Sequence, residues 1–217
     1  MLGLLQRLCA AAVRALSASG AGVSVMTKEG LRGLAVASDQ ASERIDELQF
    51  SLGEGPCMDA FSSSRPVLEP DLSTGGTARW PVYSAAAHAE GVRAVFAFPL
   101  QIGAARLGVL DLYRGQPGSL SSREFSQALT FADVATTMLV DGQEQAPAGA
   151  AAEGLAEAFD YRAEVHQAQG MVMVQASVSL AEALALLRAH AFAHARGLSE
   201  VAREVVTGTL ELHEENK

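Results

Sequence analysis

The chain has 217 residues, enough for one large domain or two modest ones. Apolar residues make up 49% of the sequence and charged residues 19%, which excludes a disordered chain, a collagen and a protein with many membrane spans. The formal net charge of −9 argues against a protein that coats nucleic acid through bulk charge. It leaves room for a small site that recognises nucleic acid by shape.

Two cysteines, Cys9 and Cys57, are too few for a disulfide framework or a four-ligand zinc site, so no metal site is predicted. The amino terminus looks superficially like a signal sequence, but no basic stretch precedes its apolar run, which Arg7 and Arg14 interrupt. No apolar run approaches the length of about 18 residues that a membrane span needs. We therefore expect a cytoplasmic protein that does not enter a membrane.

The first 140 residues alternate helix and strand patterns. A helix is predicted over 2–16, two short strands over 20–27 and 31–38 with Gly30 in the turn between them, and a helix capped by Ser38 or Asp39. Residues 65–70 are extended in pattern, 92–102 and 105–114 are the strongest strand segments, and a long helix begins at Ser121 or Ser122. These elements predict an α+β domain over 1–140, with an antiparallel sheet and flanking helices.

Residues 141–154 are rich in Gly, Ala and Gln without an apolar face, which predicts a linker. The remainder, 155–217, is helical in pattern, with predicted helices over 155–175, 180–196 and 198–212. The second helix carries a narrow apolar seam of Leu180, Leu184, Leu187 and Ala191. Because three helices of this size bury only a small core, the seam predicts a homodimer.

The carboxy-terminal region resembles the ANTAR domain, a three-helix output module of transcription antitermination regulators. The matching residues are Arg162, Val165, Gln167, Ala168, Gly170, Met173, Glu182, Ala183, Leu187, Arg188, Leu198, Val201 and Ala202. The family's Ala-Lys-Gly has Gln169 in place of the lysine, and Ala195 stands where an asparagine is usual. The resemblance implies a small all-α domain that binds tandem hairpins in leader RNA and so prevents a terminator from forming.

RNA contacts implied by this resemblance are Arg162, His166, Gln167, Ala168, Gln169, Gly170, Arg188 and Arg196. Arg162, His166 and Gln169 share one helical face by their spacing, and the planar fork of Arg188 suits a phosphate or a base edge. Two alternatives stay open. Gly170 also fits close helix packing, and Gln169 also fits a hydrogen bond to a neighbouring helix.

The first region resembles a GAF domain of the kind found with ANTAR in actinobacterial regulators. The strings that carry the resemblance are LQFSLGEGPCMDA (48–60), RAVFAFPL (93–100) and LGVLDLY (107–113). GAF domains as a class hold small molecules, so the resemblance implies a sensor pocket whose ligand or cofactor stays unknown. Its expected lining is Trp80, Tyr83, Phe96, Phe98 and Asp111.

Cys57 follows a Gly-Pro turn at the start of a predicted helix, which favours either a redox-active thiol or a small buried apolar side chain. Glu54, Asp59 and Asp111 are too scattered for an acid–base pair, and no phosphate loop or nucleophile elbow is present, so no enzyme is predicted. We expect a sensor-controlled RNA-binding antitermination regulator. The alternative is a ligand-sensing or protein-interaction module whose ANTAR-like tail only dimerises.

Overall fold

Five antiparallel strands form the sheet of the amino-terminal region, in a computed structural model that describes residues 2–26, 32–144 and 163–212. The strands are β1 (Gly20–Met26), β2 (Arg32–Ala37), β3 (Val67–Glu69), β4 (Ala94–Ile102) and β5 (Ala105–Arg114). Their spatial order is β2-β1-β5-β4-β3. The antiparallel sheet predicted from the strand patterns is confirmed, while the predicted turn at Gly30 lies outside the described residues.

Helices cover both faces of this sheet. They are α1 (Leu2–Ala15), α2 (Gln40–Leu52), α3 (Pro56–Ser63), α4 (Thr77–Arg79), α5 (Pro81–Ala89) and α6 (Ser122–Glu144), with a π-helical turn at Leu72–Gly76. Asp39 caps α2, as predicted, because its carboxylate accepts a hydrogen bond from the Ser42 amide. Helices α1 and α6 pack on one face, whereas α2, α3 and α5 pack on the other.

The two central strands β4 and β5 are buried on both faces. Alternate residues therefore belong to separate cores. Phe96, Phe98, Leu110 and Leu112 pack towards α1 and α6, and Val95, Ala97, Val109 and Tyr113 pack towards α2, α3 and α5. The sheet thus separates two apolar layers of the same domain.

Residues 163–212 of the carboxy-terminal region contain three helices: α7 (Ala163–Ala176), α8 (Leu180–Ala193) and α9 (Leu198–Val206). Ser179 and Glu182 form a reciprocal capping box at the start of α8. Leu184, Leu187 and Ala191 are buried in the core that these helices share. The seam expected to hold a second copy therefore packs within its own chain, which removes the reason for placing a dimer interface there.

Several predicted helix boundaries differ from the structure, since α8 ends at Ala193 rather than at Arg196. Helix α6 continues to Glu144, so the first four residues of the predicted linker belong to it, and the rest of 141–154 lies outside the described residues. Helix α9 ends at Val206 rather than at Leu212, and Gly208 follows with a left-handed φ of 74°. Among the described residues no single helix is long and apolar enough to cross a membrane; α7 and α8, bent by 104°, pass that test only as a pair.

Candidate functional site

The helix predicted to carry the RNA contacts turns part of that face inwards. Gln169 is fully buried on α7, and its side-chain amide donates to the Leu180 carbonyl at 2.7 Å. Ala168 is buried in the same core. The prediction that Gln169 faces RNA is therefore corrected, because its side chain joins α7 to the start of α8.

Arg188 and His166 contact the amino-terminal region instead of facing solvent freely. The Arg188 Nε donates to the Phe50 carbonyl at 2.9 Å, and its guanidinium lies 5.4 Å from the centre of the Phe50 ring. The His166 ring meets the same phenyl ring edge-on, with 6.5 Å between centroids. Phe50 is 1% exposed and packs in the core of the three carboxy-terminal helices. We call this set of contacts around Phe50 the docking contact.

Local sequence explains why the end of α2 can accept an arginine. Gly53 ends α2 in the left-handed conformation, with φ of 71°, which glycine adopts without strain. A Cβ there would lie 2.9 Å from the Arg188 Nη1, so any larger residue would require the end of this side chain to shift. The carbonyl groups at a helix carboxyl end carry partial negative charge, which favours this cation.

The other predicted RNA contacts are divided. Gln167 is exposed, and Gly170 has nothing within 4 Å of an added Cβ among the described residues, so packing within this part of the chain does not require that glycine. Arg196 forms ion pairs with Glu200 and Glu204, at 2.8 and 2.6 Å. These hydrogen bonds raise the pKa of Arg196 and lower that of Glu204. Arg162 lies outside the described residues.

A cleft of about 520 Å³ opens beside the docking contact, between the end of α2 and helix α8. Arg188 and Arg196 line it together with Phe192, whose side chain is 65% exposed. This cleft therefore combines two guanidinium groups with an exposed aromatic ring, which are the side-chain types that bind phosphates and stack on unpaired bases.

The residues predicted to line the sensor pocket lie on two different faces of the sheet. Trp80 and Tyr83 are buried in the core beneath α2, α3 and α5, and Asp111 lies on that same face of β5, opposite Ala97. Phe96 and Phe98 point to the other face, against α1 and α6. The five residues do not line one pocket, because neighbouring residues of a strand alternate between faces.

A buried group of two carboxylates and one thiol occupies the face that holds Asp111. Asp46, Cys57 and Asp111 each place one possible ligand atom within 4.8 Å of the others, and all three are buried. The Ser24 hydroxyl donates to Asp46 Oδ1 at 2.5 Å. We call Asp46, Cys57 and Asp111 the acid–thiol cluster. Sequence reasoning missed Asp46, because an acid in a charged helical segment resembles an exposed residue.

The turn before α3 fixes the position of Cys57. The side-chain carbonyl of Gln49 accepts a hydrogen bond from the Cys57 amide at 2.8 Å and so caps the helix. Gly55 permits this approach, since its φ is 137° and a Cβ would lie 2.6 Å from Gln49 Oε1. Because Cys57 is fully buried, solvent oxidants do not reach its thiol in this conformation.

Comparisons with known families agree with this architecture. The family model described as GAF domain matches residues 2–140, and the model described as ANTAR domain matches residues 153–206. The chain belongs to the GAF-domain family and carries an ANTAR domain after its GAF domain, which confirms the resemblance to a GAF-ANTAR regulator, though not its actinobacterial type. This domain order fits a sensor-regulated antitermination regulator. These domain types are sensor and RNA-binding domains rather than catalytic ones.

Solved GAF-like structures support the fold alone. A domain of a putative two-component sensor histidine kinase from Sinorhizobium meliloti 1021 is 19% identical, with a TM-score of 0.52 over 64% of this chain and 90% of that one. The GAF domain of a phosphoenolpyruvate-protein phosphotransferase from Coxiella burnetii is 16% identical, with a TM-score of 0.55 over 66% and 84%. Comparison with curated proteins finds no match.

Proposed function

We propose that this chain binds tandem hairpins in leader transcripts through its ANTAR domain and so promotes transcription antitermination in the cytoplasm. The GAF domain controls that binding by holding Arg188 in the docking contact. The observation that carries the proposal is the hydrogen bond from the Arg188 Nε to the Phe50 carbonyl, 138 residues apart in sequence. An RNA contact through the Arg188 Nε, or through the face of its guanidinium that lies on the Phe50 ring, would require the docking contact to open.

The docking contact is strong enough to act as a control point. A hydrogen bond from a charged group contributes about 1.5–3 kcal/mol, and a cation–π contact adds about 0.5–2 kcal/mol. Arg188 is only half-buried, so we take about 2 kcal/mol for the pair. Opening a contact of that strength before RNA binds lowers the apparent affinity about 30-fold.

Titration of a labelled tandem-hairpin RNA with the purified full-length chain at two salt concentrations tests this function. Arg188→Ala should weaken binding and flatten its salt dependence, because one phosphate contact is lost. Gly53→Ala should strengthen binding, because its methyl group displaces the guanidinium from α2. An RNA whose hairpin loops are scrambled should bind weakly to every variant.

Arg203→Ala is the matched control, since Arg203 is an exposed arginine of the same domain that pairs with Glu164 at 3.2 Å. It removes one positive charge without touching the docking contact. Equal losses in Arg188→Ala and Arg203→Ala would mean that only bulk charge matters. If the wild-type chain bound the tandem-hairpin RNA and the RNA with scrambled loops equally well, the result would instead favour an ANTAR domain that only dimerises.

A further inference from the structure

The acid–thiol cluster has the geometry of a metal site. Its three possible ligand atoms lie within 4.8 Å of one another and come from three elements, α2, α3 and β5. Ligands bonded to a transition metal at about 2.0–2.3 Å are separated from one another by about 3–4.5 Å. Asp46, Cys57 and Asp111 therefore need only a small contraction to share one ion.

A second observation at the same place is the hydroxyl group of Tyr113. Tyr113 is only 2% exposed, and its hydroxyl has no hydrogen-bond partner among the described residues. Tyr113 lies two residues after Asp111 on the same face of β5.

A buried hydroxyl without a partner costs about 1–3 kcal/mol. A water molecule held by an ion in the cluster would accept its hydrogen bond and remove that penalty. The fourth position of a site with three protein ligands is commonly held by such a water. Such a water would be the acceptor for a phenol that lies on the same face of β5 as Asp111.

We propose that Asp46, Cys57 and Asp111 bind one divalent first-row transition ion inside the GAF domain. A thiolate beside two carboxylates favours Fe²⁺, Co²⁺ or Zn²⁺ over Mg²⁺ and Ca²⁺, which prefer oxygen ligands alone. The ion offsets the repulsion between two buried carboxylates in a medium of low dielectric constant. The Ser24 hydroxyl holds Asp46 Oδ1 and fixes the orientation of that carboxylate.

A metal bound at Cys57 would be held by the thiolate, and binding of the ion would release the thiol proton. Cys57 is in the first turn of the eight-residue helix α3. Cys9, the other buried cysteine, packs on the opposite side of the sheet among α1 and α6. Burial raises the pKa of Cys9 to about 12, so that thiol stays protonated and provides a matched control.

Refolding the full-length chain with Co²⁺ tests the proposal without any use of RNA. The chain is unfolded in denaturant that contains a chelator, then refolded with excess Co²⁺ and desalted. The cobalt content and the absorption spectrum of the refolded chain are measured. We expect one Co²⁺ per chain and a near-ultraviolet band from sulfur-to-cobalt charge transfer. Cys57→Ser should abolish the band, and Asp111→Asn should lower the cobalt content at least about tenfold.

Cys9→Ser should keep both the cobalt and the band. Circular dichroism identifies the samples that have refolded, and only these are compared. A refolded wild-type chain with less than about a tenth of an equivalent of cobalt would overturn the proposal and indicate that the carboxylates share a proton instead. Loss of the band in Cys9→Ser but not in Cys57→Ser would overturn it as well.

This inference is independent of the proposed function. The three ligands lie in the GAF domain, and none of them belongs to the docking contact. A chain that binds cobalt and ignores RNA would contradict only the proposed function. A chain that binds RNA and takes up no cobalt would contradict only the metal site.

Discussion

Gln169 illustrates how one side chain changes the meaning of a family motif. The resemblance placed it where other members carry a lysine, and helical spacing put it on a face with Arg162 and His166. The structure buries it completely and uses its amide to bind the Leu180 carbonyl. A polar residue on an apolar stripe has the same sequence pattern whether it is exposed or hydrogen-bonded inside, so sequence alone left both alternatives open.

Gln169→Lys should therefore destabilise the ANTAR domain instead of strengthening RNA binding. Burying an ammonium group in this core, with the loss of a fitted hydrogen bond, costs about 2 kcal/mol or more. Gln167→Lys adds the same charge two residues away on an exposed position and should leave the urea midpoint unchanged. Equal midpoints for the two variants would contradict the buried position of Gln169.

Glu124, at the start of α6, makes a pH-dependent contribution to the free energy of unfolding. Hydrogen bonds from Ser121, together with Arg114, lower the pKa of Glu124 from 4.5 to about 2. Because the folded-state pKa is depressed, its stabilisation is fully present above about pH 4.5 and is lost as the pH falls through 2.

Glu124→Gln should consequently lower the thermal midpoint at pH 7 and have little effect near pH 2. Ser121→Ala removes one side of the same cap and should follow the same trend. A midpoint difference between wild type and Glu124→Gln that grows as the pH falls would contradict the sign of this contribution.

Helices and strands could be predicted where the sequence pattern lies within the element itself. The distant residues that each element contacts could not be predicted. Caps, turns and strand length placed α1, α2, α6, β4 and β5 close to their observed bounds. The side of the sheet on which Phe96 and Phe98 pack could not be predicted, because a strand buried on both faces shows no alternation of polar and apolar residues. The docking contact joins Phe50 to a residue 138 positions away, and no local pattern encodes such a pair.

The homodimer stays a prediction, with a different pair of helices as its interface. Helices α1 and α6 form a groove of about 490 Å³ lined by Leu8, Phe131, Val134 and Met138. Leu4 and Val134 in that groove are 47% and 41% exposed. An apolar surface of this kind on paired helices is typical of contacts between copies of a chain.

Val134→Glu should halve the mass measured by light scattering, because two copies cannot bury the new carboxylates together. Val174→Glu is the matched control on α7, where the side chain is 71% exposed. A monomeric Val174→Glu chain beside a dimeric Val134→Glu chain would move the interface to the ANTAR domain. A monomeric wild type would contradict the dimer altogether.

At the scale of the whole molecule, the GAF and ANTAR domains are joined in two ways, one covalent and one non-covalent. Residues 141–152 lie between the two matched domains and connect them along the chain, and the docking contact connects the domains across space. A flexible Gly/Ser insertion after Gln145 interrupts only the first route. Displacing Arg188 from Phe50 interrupts only the second.

If the docking contact carries the control, the insertion should leave RNA affinity within about twofold of wild type, whereas Gly53→Ala should raise it, by up to about 30-fold where the contact is lost completely. RNA titration of the two variants and of their combination measures this directly. An insertion that changes affinity as much as Gly53→Ala does would show that the connecting segment carries the control instead.

Asp46 and Phe50 stand one helical turn apart on α2, about 6 Å along its axis, so the acid–thiol cluster and the docking contact share one rigid segment. Any ligand that shifts this turn on binding changes the free energy of both. Thermodynamic linkage then works in both directions: the factor by which an ion in the cluster alters the affinity for RNA equals the factor by which RNA alters the affinity for that ion. A transcript with the cognate hairpins would then change the affinity of the GAF domain for its ion. The transcript would thus be an effector of the domain that controls its own binding.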